Sequence, residues 1–318
     1  MGMTPQVELP YRYQLYGWLM ISARPLPFMP PWPDAASTEE DSVEVRFGPV
    51  AVPADTPVYD DGFIALHADG SALLTYPEVR IAVAGGRTIR VDAPTDISDA
   101  YLHSCLSGAA MSVTSHQRGQ PPLHACVLDI DGKGIAIAGH SGFGKSTTAR
   151  ALLLRGHRLV SDDHAQVDPA TRLAQAAFPS MKLWTNSADH LGDTLDPAMK
   201  VSPMVGKYHL PLRESYRPTP IALTTVVILH PEPKLEHPTL RHLTTQEAAM
   251  ALHHLVHRWR LAHAIDKGAA AFHWALALSQ MVPVAILKRP DDLHQLDRLC
   301  AMIEGLAAST DRRTEPVR

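Results

Sequence analysis

The sequence predicts a mixed α/β (α+β) fold, with a small β-rich N-terminal module over residues 1–94 and a P-loop domain over residues 95–318. Three observations carry this. Short apolar runs divided by turn residues fill the stretch from Val43 to Val91. Beyond residue 95, apolar strands alternate with helical stretches, the pattern of an α/β or α+β core. A glycine-rich loop, GHSGFGKS, sits where one of those strands gives way to a helix.

Composition bounds the answer. The chain has 318 residues, 45% of them hydrophobic and 19% charged, which excludes disorder and fibrous repeats. A formal charge of -4 argues against broad nucleic-acid binding, which calls for a basic excess or stripe. Arg12, Tyr13 and Gln14 interrupt every candidate run for a secretion signal, and no stretch approaches the ~20 consecutive apolar residues that span a bilayer. A cytoplasmic protein without a membrane partner is expected. Cys105, Cys126 and Cys300 lie in apolar stretches without CxxC spacing and read as small buried thiols.

Pro25, Pro27, Pro30, Pro31 and Pro33 remove backbone donors, so residues 24–40 read as an irregular loop. Strands are expected over 43–47, 63–66, 72–76 and 87–91, with turns at Asp60-Asp61-Gly62 and Gly85-Gly86. Thr95 or Asp96 then caps a helix bearing Ile97, Tyr101, Leu102, Cys105, Leu106 and Ala109, a hinge between the modules, before Arg118-Gly119 and Pro121-Pro122 stop it. Strands follow at 126–130, 134–138 and 224–229. Thr244 and Glu247 form a capping-box pattern that opens a helix with an apolar stripe of Ala248, Leu252, Leu255, Val256 and Trp259.

The sharpest signal is Gly139-His140-Ser141-Gly142-Phe143-Gly144-Lys145-Ser146, a full GxxxxGK[ST] followed by Thr147 and a helix carrying Ala149, Leu152 and Leu153. Its glycines let successive amides turn inward on phosphate oxygens, and the helix N-terminus adds partial positive charge. Lys145 is expected on the β and γ phosphates of ATP, with the Ser146 hydroxyl on Mg²⁺. One short helix later, Arg158-Leu159-Val160-Ser161 ends in Asp162-Asp163. A helix of about eleven residues spans roughly 16 Å, so the next strand can bring these carboxylates back to the loop. One would hold the metal while its neighbour takes a proton from an incoming hydroxyl.

These residues resemble the catalytic domain of HPr kinase/phosphorylase, whose P-loop fold is shared with phosphoenolpyruvate carboxykinase. The resemblance runs from His124 to about Asp168 through His124-Ala125-Cys126-Val127-Leu128, GHSGFGKST and Arg155-Gly156-His157-Arg158-Leu159-Val160-Ser161-Asp162-Asp163. It implies that Asp162 is the catalytic acid/base, that His124 assists near the reacting phosphate, and that Asp163 supports the metal or the active-site network. His140 stands where the family has aspartate and Thr147 where it has glutamate, so phosphorolysis lies outside what the resemblance implies. The glycine-rich stretch with which the family meets its protein substrate is missing, so the resemblance does not extend to HPr as acceptor. The whole chain looks more like the shorter HPr-kinase-related proteins of lasso-peptide biosynthesis, which phosphorylate a C-terminal serine of the precursor peptide. Tyr13-Gln14-Leu15-Tyr16-Gly17 and the segment from Gly206 to Leu212 share their style.

Lys207, and after it Arg213, are the further cations expected near the γ phosphate or a peptide carboxylate. His253, His254 and His257 lack the glutamate of HExxH and read as ordinary core or surface histidines. The expected function is an ATP-dependent peptide or protein serine kinase, with a nucleotide-binding switch and a small-molecule kinase as alternatives. Assembly as a homo-oligomer is left open.

Overall fold

The computed structural model describes residues 10–33 and 42–309. Strands β1 (Tyr11–Leu15), β2 (Trp18–Ser22), β3 (Val43–Phe47), β4 (Tyr59–Asp60), β5 (Ile64–Leu66), β6 (Ala72–Tyr76), β7 (Val79–Ala84) and β8 (Thr88–Asp92) form one sheet in the order β1-β2-β3-β8-β7-β6-β5-β4. Their inward residues alternate, as in Val79, Ile81 and Val83, so one face is apolar. Against it packs a continuous helical stretch, α1 (Asp99–Cys105), a π-helical turn over Leu106–Ala110, and α2 (Met111–Gln117). Phe178 and Leu261, from later in the chain, complete that core.

Four of these strands, β1, β2, β4 and β7, escape the sequence pattern. The β1–β2 hairpin turns at Tyr16-Gly17 and is covered along its outer side by Pro30 and Trp32, with Gln14 N donating to Pro30 O and Trp32 N to Arg12 O. Residues 24–33 carry no helix and only the bridge of Tyr13 to Pro31, while the rest of the expected loop, 34–40, lies outside the described residues. The helix expected from Thr95 or Asp96 begins at Asp99, with Ser98 in the N-cap position.

The second sheet holds the P-loop. It comprises β9 (Ala125–Ile130), β10 (Lys133–Ala138), β11 (Arg158–Ser161), β12 (Leu173–Ala174), β15 (Ile221–Pro231), β16 (Thr239–His242) and β17 (Val284–Arg289), in the order β11-β9-β10-β15-β17-β16 with β12 beside β15. A separate hairpin joins β13 (Ser180–Trp184) to β14 (Lys207–Pro211). Helices α3 (Lys145–Leu154) and α8 (Leu296–Ser309) cover one face of the sheet, and α5 (Thr245–His254) and α7 (Ala269–Met281) the other. The short α4 (Thr185–Leu191) follows β13, and α6 (Trp259–Asp266) precedes α7. Among the described residues no helix is long and apolar enough to cross a membrane.

The Thr244–Glu247 capping box is present, with Thr244 Oγ1 accepting from Glu247 N and Glu247 Oε2 from Thr244 N. Its helix is shorter than the apolar stripe suggests. Leu255 caps it, Arg258 turns the chain at φ 56°, and Trp259 opens α6 as an exposed side chain instead of extending the buried stripe. His253 and His257 therefore do not share one helical face.

Candidate active site

Strand directions explain why distant sequence segments meet. β9 runs antiparallel to β10, and β11 antiparallel to β9, so β10 and β11 end at the same edge of the sheet where β9 begins. His124 immediately precedes β9, Gly139 follows β10, and Asp162-Asp163 follow β11. Three chain segments thus deliver a histidine, a phosphate loop and two carboxylates to one place.

The loop has the backbone that its glycines allow. Gly142 and Gly144 sit at φ 84° and 91°, a region closed to most side chains. A Cβ on Gly144 would also lie 3.1 Å from Nε and Nη2 of Arg289. Lys145 is buried, and its ammonium donates to the carbonyls of Gly139 at 2.8 Å and His140 at 3.2 Å. Burial lowers its pKa. A desolvated cation at the base of an amide-lined loop is a fitting counter-charge for a triphosphate. The cavity over the loop holds about 660 Å³ and is lined by Ser141, Gly142, Gly144, Lys145, Ser146 and Thr147, with Asp163 and Lys207 at one side. The Ser146 hydroxyl and a carboxylate on the same cavity wall are the hard oxygen donors that Mg²⁺ selects. Of the remaining loop residues, His140 is exposed and packs edge-on against Phe143 at 5.4 Å, and Phe143 O accepts from Arg289 Nε. The Thr147 hydroxyl pairs with Ser187 Oγ at 2.8 Å.

The two carboxylates have different surroundings. Asp162 is 2% exposed, with Oδ1 accepting from the Cys126 thiol at 3.0 Å and Oδ2 from the Lys182 amide at 2.8 Å. Burial, with Asp163 beside it, raises its pKa. Asp163 occupies a left-handed conformation at φ 65°, which turns its side chain onto the cavity wall. Its Oδ1 meets His124 Nε2 at 2.9 Å, and its Oδ2 lies 3.8 Å from the Lys182 ammonium. Burial pushes this carboxyl up, but the His124 hydrogen bond and the Lys182 charge outweigh it and hold the group well below the usual carboxylate range. The cavity-facing carboxylate is Asp163, and the buried one is Asp162.

Lys207 lines the cavity with its ammonium 5.8 Å from the Trp184 ring centroid. Arg213 is exposed and stands outside the cavity lining. Lys182 and Arg289 are the residues that sequence reasoning passed over. Lys182 is a lone cation inside the apolar pentad Ser180-Met181-Lys182-Leu183-Trp184, and that isolation is the signal that points to it. Behind His124 lies a polar interior: the His257 ring packs edge-on to it at 5.2 Å, and His257 Nδ1 pairs with Ser112 Oγ at 2.9 Å. His257 is a half-buried residue joining α2 to the site.

Comparison with known proteins points to the same segment. An HPr kinase/phosphorylase of Limosilactobacillus reuteri is 53% identical over 78 residues, which are 24% of this chain and 24% of that protein. One from Clostridium perfringens is 39% identical over 70 residues, 22% of this chain and 23% of that protein. The likeness thus spans about a quarter of each relative's length. The solved Hpr(Ser) kinase/phosphatase of Coxiella burnetii aligns over 61% of this chain and 99% of its own, at 18% identity and a TM-score of 0.30. Residues 118–179, from the end of α2 through His124, the P-loop and the carboxylate pair, match the family of the HPr Serine kinase C-terminal domain.

Proposed function

We propose that this chain is an ATP-dependent kinase that transfers the γ-phosphoryl group to a serine hydroxyl of a peptide or protein. The observation that carries the reading is the convergence on one cavity of the buried Lys145 cation and of Asp163, which is paired with His124. A cation and amides that hold phosphates, beside a carboxylate kept ionised by His124 and Lys182, are the parts phosphoryl transfer requires. The match of residues 118–179 to a serine kinase domain supports the same reaction class.

In this reading the loop amides and Lys145 hold the triphosphate, and the His124–Asp163 pair takes the proton of the acceptor hydroxyl. Mg²⁺ would be held by Ser146, with Asp163 beside it, and supplies charge neutralisation on the phosphates. Asp162, the residue that the resemblance implied as acid/base, becomes a positioning residue, because both of its oxygens are already engaged by Cys126 and Lys182. Lys182 fixes the pair from the far side and adds positive charge. Catalysis of this kind is positioning and electrostatics, with little covalent work for the protein.

The acceptor class that the sequence style favours is a lasso-peptide precursor ending in serine. Transfer of label from γ-labelled ATP tests this, with peptides ending in serine, their alanine-ended counterparts and a panel of metabolites as acceptors. Label on the serine-ended peptides alone is the expected result. Label on metabolites alone would make the chain a small-molecule kinase, and nucleotide binding with no transfer would make it a switch.

A further inference from the structure

The cavity over the P-loop has two chemically different ends, and strand order sets them apart. Asp163 emerges two strands to one side of the P-loop strand, from β11, and Arg289 two strands to the other, from β17. With neighbouring strands about 4.8 Å apart, each end lies roughly 10 Å from the loop's own strand. The Asp163 end is mostly polar and charged, carrying Lys207, Thr185, Asn186 and Ser187, with the Trp184 ring beside Lys207. The other end is built from Pro238, Pro290, Leu293, Leu296 and Leu299, and Leu293 is 40% exposed there despite its apolar side chain. Arg289 stands between that end and the loop, donating through Nε to Phe143 O at 3.1 Å.

From this layout we infer that the nucleoside of the phosphoryl donor lies on the apolar segment that follows β17, with its base against Leu293 and Leu296, so that the triphosphate crosses the P-loop toward Asp163. The proposal rests on the kinase reading above and adds the direction in which the nucleotide lies. A planar base needs apolar walls, of which the β17 end offers several and the opposite end the Trp184 ring alone, and an incoming hydroxyl needs the carboxylate, which stands at that opposite end. Arg289 couples the two halves of the donor site by bracing the loop from the nucleoside side. The acceptor then enters over the β13–β14 hairpin, past Trp184 and Lys207.

Calorimetric titration of the full chain with MgATP and with inorganic tripolyphosphate tests the direction. Tripolyphosphate fills the phosphate loop without a nucleoside. Leu293→Asp should weaken MgATP by roughly tenfold or more, the worth of one apolar side chain turned polar, and leave tripolyphosphate unchanged. Leu293→Ala should give a smaller split of the same sign, and Trp184→Ala should keep MgATP affinity. The inference is overturned if both ligands weaken equally in the Leu293 variants, if MgATP is indifferent to them, or if Trp184→Ala alone loses it. Equal affinity of the wild-type chain for the two ligands would also overturn it while leaving the kinase reading standing. Binding of neither ligand would overturn the kinase reading, and this inference with it.

Discussion

The ammonium of Lys182 stands 3.8 Å from Asp163 Oδ2, while the amide of the same residue donates to Asp162 Oδ2 at 2.8 Å. One residue of β13 therefore holds both carboxylates, and it does so from a strand outside the main sheet. Its charge is nearly enclosed, with the side chain 11% exposed, so it acts on the site at low effective dielectric. Lys182→Met is expected to lower the turnover number for peptide phosphorylation by about 100-fold, the scale of losing one preorganised charge, with ATP affinity held within a few-fold. Lys182→Arg should recover part of the rate. Steady-state label transfer checks both, and an unchanged turnover in Lys182→Met would remove the residue from the mechanism.

The unequal settings of Asp162 and Asp163 lead to a second prediction. Asp163→Asn should retain ATP binding and lose transfer by about 100-fold or more, because the pair with His124 no longer takes a proton. Asp162→Asn should instead reduce stability by about 1–3 kcal/mol, since an amide nitrogen would face the Lys182 N–H or the Cys126 thiol and leave a buried donor unsatisfied. Chemical denaturation and single-turnover transfer, measured on both variants, separate the effects. If Asp162→Asn shows the larger loss of transfer with an unchanged denaturation midpoint, Asp162 is the proton acceptor and the proposed roles are reversed.

What the sequence makes legible is what is decided locally. The P-loop is written in glycines that a left-handed backbone requires, in an apolar strand before them and in a helix after them, and β10, the loop and α3 stand where that pattern puts them. The return of Asp162-Asp163 to the loop follows from the length of one helix and the direction of one strand. Which carboxylate faces the cavity does not, because neighbouring residues on an extended chain point opposite ways and the positive φ of Asp163 is set by its surroundings. Lys182 and Arg289 reach the site from β13 and β17, and no local pattern reports such non-local pairings. The overrun of α5 to Trp259 has a similar origin: apolar spacing continues past Leu255, but the chain breaks at Arg258 and begins a new helix.

The two glycines that flank α3 supply a matched pair of substitutions. Gly144 and Gly156 both have positive φ, 91° and 100°, so alanine at either costs about 1–2 kcal/mol of backbone strain. Only at Gly144 does the new methyl meet a neighbour, the Arg289 guanidinium at 3.1 Å, whereas nothing lies within 4 Å at Gly156. Gly144→Ala should therefore abolish the rise in melting temperature on adding MgATP. Gly156→Ala should lower the baseline melting temperature and keep that rise. Thermal melts with and without nucleotide decide it, and equal nucleotide responses in the two variants would mean that the loop conformation does not govern binding.

Buried histidines make stability depend on pH in a window above that of the carboxylates held low. Burial pushes His164 and His209 down to about 3, and His103, His116 and His257 are also lowered by burial. In the unfolded chain each imidazole titrates near its ordinary value of about 6.5. Above that pH both states are neutral and the contribution to stability is full. As pH falls below it, the unfolded chain binds protons that the native chain does not, so stability drops until the folded value is reached. Each such histidine contributes up to about 1.4 kcal/mol per pH unit in that range. Carboxylates held low, such as Asp163, add their own loss only below about pH 4. Urea unfolding at pH 7, 6 and 5 should show stability falling steadily with pH. His209→Gln, which keeps a polar group near Ser104 Oγ, should flatten the slope by up to one histidine's share. A slope identical to wild type would mean that His209 is protonated in the native chain, contrary to the effect of its burial.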